Sequence, residues 1–166
     1  MTRLELLTAI TALVAAVEGL EPIPATGDIP ALPRVSSYVA PSVEALLKRA
    51  LALPQTAALV VLAGGDVNTP ENGRDLLGTG SVTVENGGIL ICCPFDPSAD
   101  RGGAAAIELL EACEAAISDA GGSYKNLDAA GNVELRPLGW QVLDDKTLAG
   151  RMAVILHFEV RNARSI

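Results

Sequence analysis

Apolar side chains recur every three or four positions in three parts of the chain, which is the spacing of an amphipathic helix. The first part, residues 2 to 18, predicts a helix with Thr2 as its N-cap. A second pattern predicts a helix that begins near Ser42 and ends before Pro54, and a third predicts a helix over residues 103 to 118. The first helix carries its apolar stripe on Leu6, Ile10, Leu13 and Val17.

Elsewhere the pattern is that of strands. The run from Ala57 to Ala63 is continuously apolar and predicts a strand buried on both faces. Residues 79 to 85 and 88 to 95 flank Asn86-Gly87, a strong turn signal, and so predict an antiparallel hairpin. The closing segment predicts two long strands around a turn near Asp144-Asp145.

Two segments show neither the helical spacing of apolar residues nor the pattern of a strand. Residues 21 to 41 hold five prolines and are predicted to run as an extended arm, with a flexible linker as the alternative. Residues 64 to 80 are rich in Gly, Asn, Pro and Asp and predict a long loop. Because both segments are too long and irregular to serve a compact domain alone, we expect them at contacts between subunits or with a partner.

The order α, α, β, β, β, α, β, β contains no internal repeat. It predicts an α+β fold, a two-layer sandwich in which a mostly antiparallel or mixed sheet carries its helices on one face. A length of 166 residues suits one domain, with the Pro-rich arm at about residues 21 to 41 as part of it.

Composition narrows the class of protein. Hydrophobic residues make up 49% of the chain but aromatic residues only 3%, so the core is aliphatic and the subunit is expected to rely on neighbours for burial. A formal charge of −8 argues against a nucleic-acid-binding surface. The N-terminal stretch resembles the core of a signal peptide, but Glu5 disrupts the basic leader. We therefore expect a cytoplasmic product and no membrane segment.

A thiol enzyme is the main alternative that the residues allow. It would pair Cys92 or Cys93 with His157, the single histidine, if their strands were neighbours. Free cysteines are more often small buried hydrophobes, and an apolar strand disfavours the thiolate. We therefore expect reduced, unreactive thiols and no catalytic residue.

Metal and cofactor sites have weaker signals. The predicted loop carries four oxygen ligands that could hold a divalent cation, namely Asp66, Asn68, Glu71 and Asp75. Pro70 and the position of Gly73 break the calcium-loop pattern, so turn chemistry is the preferred interpretation. Gly64-Gly65 is followed by no phosphate-binding motif. No cofactor is expected, although a small-molecule module with residues 64 to 80 as a lid is a further alternative.

Seven stretches carry a resemblance to a known family: LTAITALVAAV, VAPSVEALLKRAL, AALVVLAGG, VTVENGGILICC, AAAIELLEACEAAI, LGWQVLDD and AVILHFEV. In this order they resemble the tail-terminator, or tail-completion, proteins of long-tailed bacteriophages and Mu-like prophages. The resemblance implies a virion structural protein at the neck end of the tail, assembled in the host cytoplasm. It implies a self-assembled ring, usually a hexamer, that binds the tail tube, stops its polymerisation and meets a head-side connector. The family has no active site.

The ring would let DNA pass without binding it. Acidic walls suit that task, and the candidate assembly or lumen residues are Asp66, Glu71, Asp75, Asp144 and Asp145. The same residues could instead keep the outer surface soluble. Another head–tail neck or connector subunit is the nearest rival, because it would share the size, the charge and the lack of catalytic chemistry.

Overall fold

The computed structural model describes residues 1–38, 42, 44–45, 48–49, 52, 54, 56–68, 80–96, 102–119, 124–143 and 150–165. Strands make up 46% of it. The elements in chain order are α1 (Arg3–Ala15), β1 (Val35–Tyr38), β2 (Ala57–Asn68), β3 (Gly80–Pro94), α2 (Gly103–Ile117), β4 (Lys125–Asn126), β5 (Val133–Leu143) and β6 (Arg151–Ser165).

Helix α1 begins at the N-cap that the sequence predicts. The backbone N–H of Glu5 donates to Thr2 Oγ1 at 3.2 Å, and the backbone N–H of Thr2 donates to Glu5 Oε2 at 2.6 Å, which forms a capping box. The helix ends at Ala15, before a turn that reaches Gly19 at a φ of +91°. The first predicted helix is confirmed, three residues shorter at its end. The predicted helix over residues 103 to 118 is confirmed as α2.

The six strands form one sheet in the order β1-β2-β3-β6-β5-β4, curled into a half-barrel. Strands β1 and β2 are parallel and every other neighbouring pair is antiparallel. The two central strands pair along their whole length, from Gly80 opposite Ser165 to Pro94 opposite Arg151. The two long closing strands predicted from the sequence are confirmed as β5 and β6.

Both faces of this sheet bury apolar side chains. On the helix side, Ile89, Leu156 and Phe158 form a cluster with residues of α1 and α2. On the other side, Leu59 and Leu90 belong to a separate buried cluster. The prediction of a two-layer sandwich is therefore wrong. Long strands twist and coil, so the sheet becomes a mostly strand-built half-barrel and not a flat layer under helices.

The predicted hairpin at Asn86-Gly87 is also wrong, since both residues lie inside the continuous strand β3. Asn86 pairs with Gly64 on β2 and with Glu159 on β6, so neighbours on both sides hold it extended. The prediction that a loop begins at residue 64 is wrong for the same reason. Strand β2 continues to Asn68 past a bulge between Leu62 and Gly64, and residues 69–79 lie outside the described part.

The Pro-rich arm is folded more locally than predicted. Residues 23 to 32 form a small hairpin, in which Ile23 and Leu32 exchange backbone hydrogen bonds of 2.8 and 3.1 Å. We call this segment the arm hairpin. Its chain continues directly into β1, the outermost strand at one edge of the sheet.

The helix predicted between Ser42 and Pro54 is described in part. Residues 44, 45, 48 and 49 are helical, the backbone N–H of Ala45 donates to Ser42 Oγ at 3.1 Å, and Lys48 forms an ion pair with Glu44. The remainder of this prediction, like the turn at residues 144 and 145, lies outside the described residues.

Candidate assembly surfaces

A row of large apolar side chains stands half-exposed on β5. Leu138 and Trp140 are each 51% exposed and Val142 is 48% exposed. Trp140 lies opposite Leu156 and Val142 lies opposite Val154, and both partners belong to the helix-side core, so these two side chains extend that apolar face into solvent. We call these three residues the β5 row.

The backbone of β5 is also unpaired along the outer edge of the strand that carries the β5 row. Strand β4 pairs only with Glu134 and Leu135, so within the described part of the chain the outer edge from Arg136 to Leu143 has no strand partner. A bulge between Pro137 and Gly139 turns the strand just before Trp140. An unpaired strand edge with apolar side chains is a surface that proteins cover by association.

A second exposed apolar surface lies on the arm hairpin. Ile29 is 69% exposed and Leu32 is 49% exposed. The tip is closed by reciprocal backbone hydrogen bonds of 3.0 Å between Thr26 and Ile29, with Gly27 at a φ of +57°. The hairpin therefore holds two large side chains in solvent on a defined backbone. Because it leads into β1, it belongs to the edge of the sheet opposite β5.

The structure places only one of the acidic residues predicted to line an assembly surface or lumen. Asp66 lies in β2, opposite Val84 on β3. Glu71, Asp75, Asp144 and Asp145 lie outside the described residues, so their role stays a prediction.

Sequence reasoning missed the β5 row. The sequence predicts a long strand here, but the alternation of Leu138, Trp140 and Val142 does not say whether these side chains are buried or exposed. The signal that could have found it is the single tryptophan, a residue type enriched at interfaces, in a strand near the edge of the sheet.

A catalytic pair of thiol and imidazole is not formed. Strands β3 and β6 are neighbours, but Cys92 lies opposite Ala153 whereas His157 lies opposite Gly88. Four strand positions separate Cys92 from the position opposite His157, about 13 Å at 3.3 Å per residue. Burial raises the pKa of the Cys92 thiol to about 11, which keeps it protonated at neutral pH. The expectation of buried, unreactive cysteines fits this environment, and Cys92, Cys93 and Cys113 are all free and buried.

Glu159, which lies on the same strand as His157, forms ion pairs with two arginine side chains. Glu159 Oε1 lies 3.0 Å from Arg136 Nη2 and 3.2 Å from Arg161 Nε, and it accepts a hydrogen bond of 3.2 Å from the Tyr124 hydroxyl. Both guanidinium groups lie 4.8 Å from the centroid of the Tyr124 ring. This network ties Tyr124, the residue before β4, to β5 and β6.

The described residues hold no group of three or more His, Cys, Asp or Glu side chains arranged to bind a metal ion. None of the helices in the described part of the chain has the length and apolar character needed to cross a membrane.

No protein-family model and no curated protein sequence matches the chain. Among solved structures, a chain of the virion of a native gene transfer agent (GTA) particle is similar to it, with a TM-score of 0.45 and 18% sequence identity. The match covers 93% of this chain and 84% of that chain.

Proposed function

We propose that this chain is a structural subunit of a long-tailed phage or phage-like particle. It assembles into a ring that caps the tail tube, ends tube polymerisation and offers a joining surface to the head side. Two lines support the proposal: the resemblance of seven sequence stretches to tail-terminator proteins, and the two exposed apolar surfaces. The observation that carries it is that these surfaces, the β5 row and the arm hairpin, differ from each other and belong to opposite edges of one sheet.

Two different surfaces favour a head-to-tail contact. A two-fold dimer joins one surface to its own copy, whereas a head-to-tail contact joins two different surfaces and repeats until the rotation closes a ring. In the proposed ring, the β5 row of one subunit packs against Ile29 and Leu32 of the next. Burying a half-exposed large apolar side chain contributes about 1 kcal/mol, so these five residues together supply several kcal/mol per contact.

Closure accounts for the capping role. A closed ring leaves neither its β5 row nor its arm hairpin free to add further subunits, so it can end a growing tube without extending it. One face of the ring then meets the tube and the other meets the connector. The lumen carries one of two acidic sets, either Asp66, Glu71 and Asp75 or Asp144 and Asp145, and this set repels passing DNA. Lysine substitutions made in one set at a time should slow DNA ejection at low salt for the set that lines the lumen.

The test is the native mass and negative-stain image of the purified protein, alone and with tail tubes. The wild-type protein should form rings, and Trp140→Glu should yield single subunits because it places a charge in the apolar contact. Gln141→Glu adds the same charge to the neighbouring exposed residue, whose side chain lies on the other face of β5, and should assemble normally.

Two results would contradict the proposal. One is a wild-type protein that stays monomeric at high concentration and does not bind tail tubes. The other is a Trp140→Glu protein that assembles as well as Gln141→Glu. In infected cells, loss of the protein should give tails of abnormal length. Tails of normal length that fail to join heads would instead identify a neck or connector subunit.

A further inference from the structure

A cleft of about 530 Å³ opens between the first turn of α1 and the part of β2 that follows its bulge. Leu4 and Leu7 of α1 and Leu62 of β2 form apolar walls. Gly64 and Gly65 form a wall of bare backbone. The volume of the cleft is large enough to admit one long side chain from outside.

The floor of the cleft is a buried carboxylate. The Glu85 side chain is only 4% exposed, and its Oε1 accepts from Arg3 Nε at 2.8 Å, while the Arg3 side chain is 64% exposed. The other oxygen, Oε2, lies against Gly65, where a Cβ would collide with the carboxylate. Within the described residues Arg3 is the one ion-pair partner of this carboxylate, and the second oxygen, Oε2, retains the capacity to accept a hydrogen bond.

We propose that this cleft receives an arginine or lysine side chain from a partner protein. The cationic end binds Glu85 Oε2 beside Gly65, and the aliphatic stem packs on Leu4 and Leu62. Charge complementarity identifies the occupant: the acceptor is a carboxylate, the walls are apolar, and the chain carries a formal charge of −8. Arg3 shows that the carboxylate already takes a guanidinium group. This inference does not depend on ring assembly, since all the described residues that line the cleft belong to one subunit.

The probe is the peptide acetyl-Gly-Arg-Gly-amide, observed by saturation-transfer NMR, which works for single subunits and for large rings alike. Its matched control replaces arginine by citrulline, which has the same shape and no charge. We expect the arginine peptide to bind at least tenfold more tightly than the citrulline peptide, with the strongest transfer to the stem methylene groups. Equal binding of the two peptides would overturn the proposal, as would tighter binding of putrescine, which would indicate a free polyamine as the occupant.

Three variants tie the binding to the cleft. Glu85→Gln removes the charge, and Leu4→Lys places an ammonium group at the mouth of the cleft, so each should weaken the arginine peptide at least tenfold. Leu4→Gln is the matched control for length and polarity, and it should bind the arginine peptide more tightly than Leu4→Lys does, because both variants lose the apolar contact and only the lysine repels the cation. Leu4 is 73% exposed, so its replacement leaves the core intact and keeps the test valid if Glu85→Gln does not fold. Unchanged binding in Leu4→Lys would reject the cleft as the site.

Discussion

The backbone at Gly87 passes so close to Phe158 on β6 and to the carbonyl oxygen of Val61 on β2 that a Cβ would overlap both. Gly87→Ala should therefore destabilise the protein by about 1–3 kcal/mol through overpacking. Gly64→Ala is the control, since a Cβ there meets nothing within 4 Å, and it should change stability by no more than about 0.5 kcal/mol. Urea denaturation of the two variants measures the difference, and equal midpoints would contradict the packing argument.

The thiols give a second prediction at the scale of the residue. Burial raises the pKa of Cys92 to about 11 and that of Cys113 to about 12. With a pKa of about 11, roughly one thiol in a thousand is ionised near pH 8, so reaction with an aromatic disulfide reagent should be slow in the native state and rapid in denaturant. Rapid labelling of the native protein would show that a thiol is open.

The same thiols set the sign of one pH dependence. In the unfolded chain a cysteine ionises near its ordinary pKa of 9.0, while in the folded state Cys92 stays protonated to about 11. The stability that the raised pKa of Cys92 contributes is therefore fully present below about pH 9, and it is lost as the pH rises toward 11. Cys92→Ala should flatten the fall in unfolding free energy over that window. An equally steep fall in this variant would assign it to other groups.

At the scale of the element, the N-terminus of α1 is the place where sequence and structure agree in detail. Thr2→Ala removes the side chain that accepts from the Glu5 N–H and should cost about 1 kcal/mol of stability. Thr8→Ala, on an exposed position of the same helix, is the control and should be neutral or stabilising because alanine favours the helix interior. Thermal unfolding compares them, and equal losses in both variants would show that the cap contributes nothing specific.

The elements that could be predicted are those whose secondary structure is determined by their local sequence. The apolar period of α1 and α2 and the alternation in β5 and β6 come from local sequence, and all four elements were found. The Asn86-Gly87 signal failed because pairing with β2 on one side and β6 on the other outweighs a two-residue turn preference. Strand β2 ran past Gly64 for the same reason.

The exposed surfaces could not be predicted, because a pattern of apolar residues does not say which of those residues are buried in the folded protein. Trp140 and Leu156 look alike in the sequence, yet Leu156 lies under the helices and Trp140 lies beyond them. The cleft at Glu85 was hidden for another reason. It joins Arg3, Gly65 and Glu85, residues far apart in the chain that only the fold brings together.

At the scale of the whole molecule, the proposed ring makes a prediction that separates a head-to-tail contact from a symmetric one. Trp140→Glu places a charge in the β5 row and leaves the arm hairpin unchanged. Ile29→Glu places a charge in the arm hairpin and leaves the β5 row unchanged. Each variant alone lacks one half of every contact, so each should be monomeric. In a mixture, the intact β5 row of the Ile29→Glu protein meets the intact hairpin of the Trp140→Glu protein, so the mixture should form one-to-one dimers.

Assembly should end at the dimer, because the two surfaces that remain free are the substituted β5 row and the substituted arm hairpin, and neither can bind a third subunit. A contact with two-fold symmetry through the β5 row predicts a different result, in which Ile29→Glu assembles like wild type and mixing changes nothing. Native mass spectrometry of each variant and of the mixture distinguishes the two schemes. A protein that carries both substitutions is the control and should stay monomeric with either variant if the surfaces have no other partner. Rings in the one-to-one mixture would show that neither surface forms the contact between subunits.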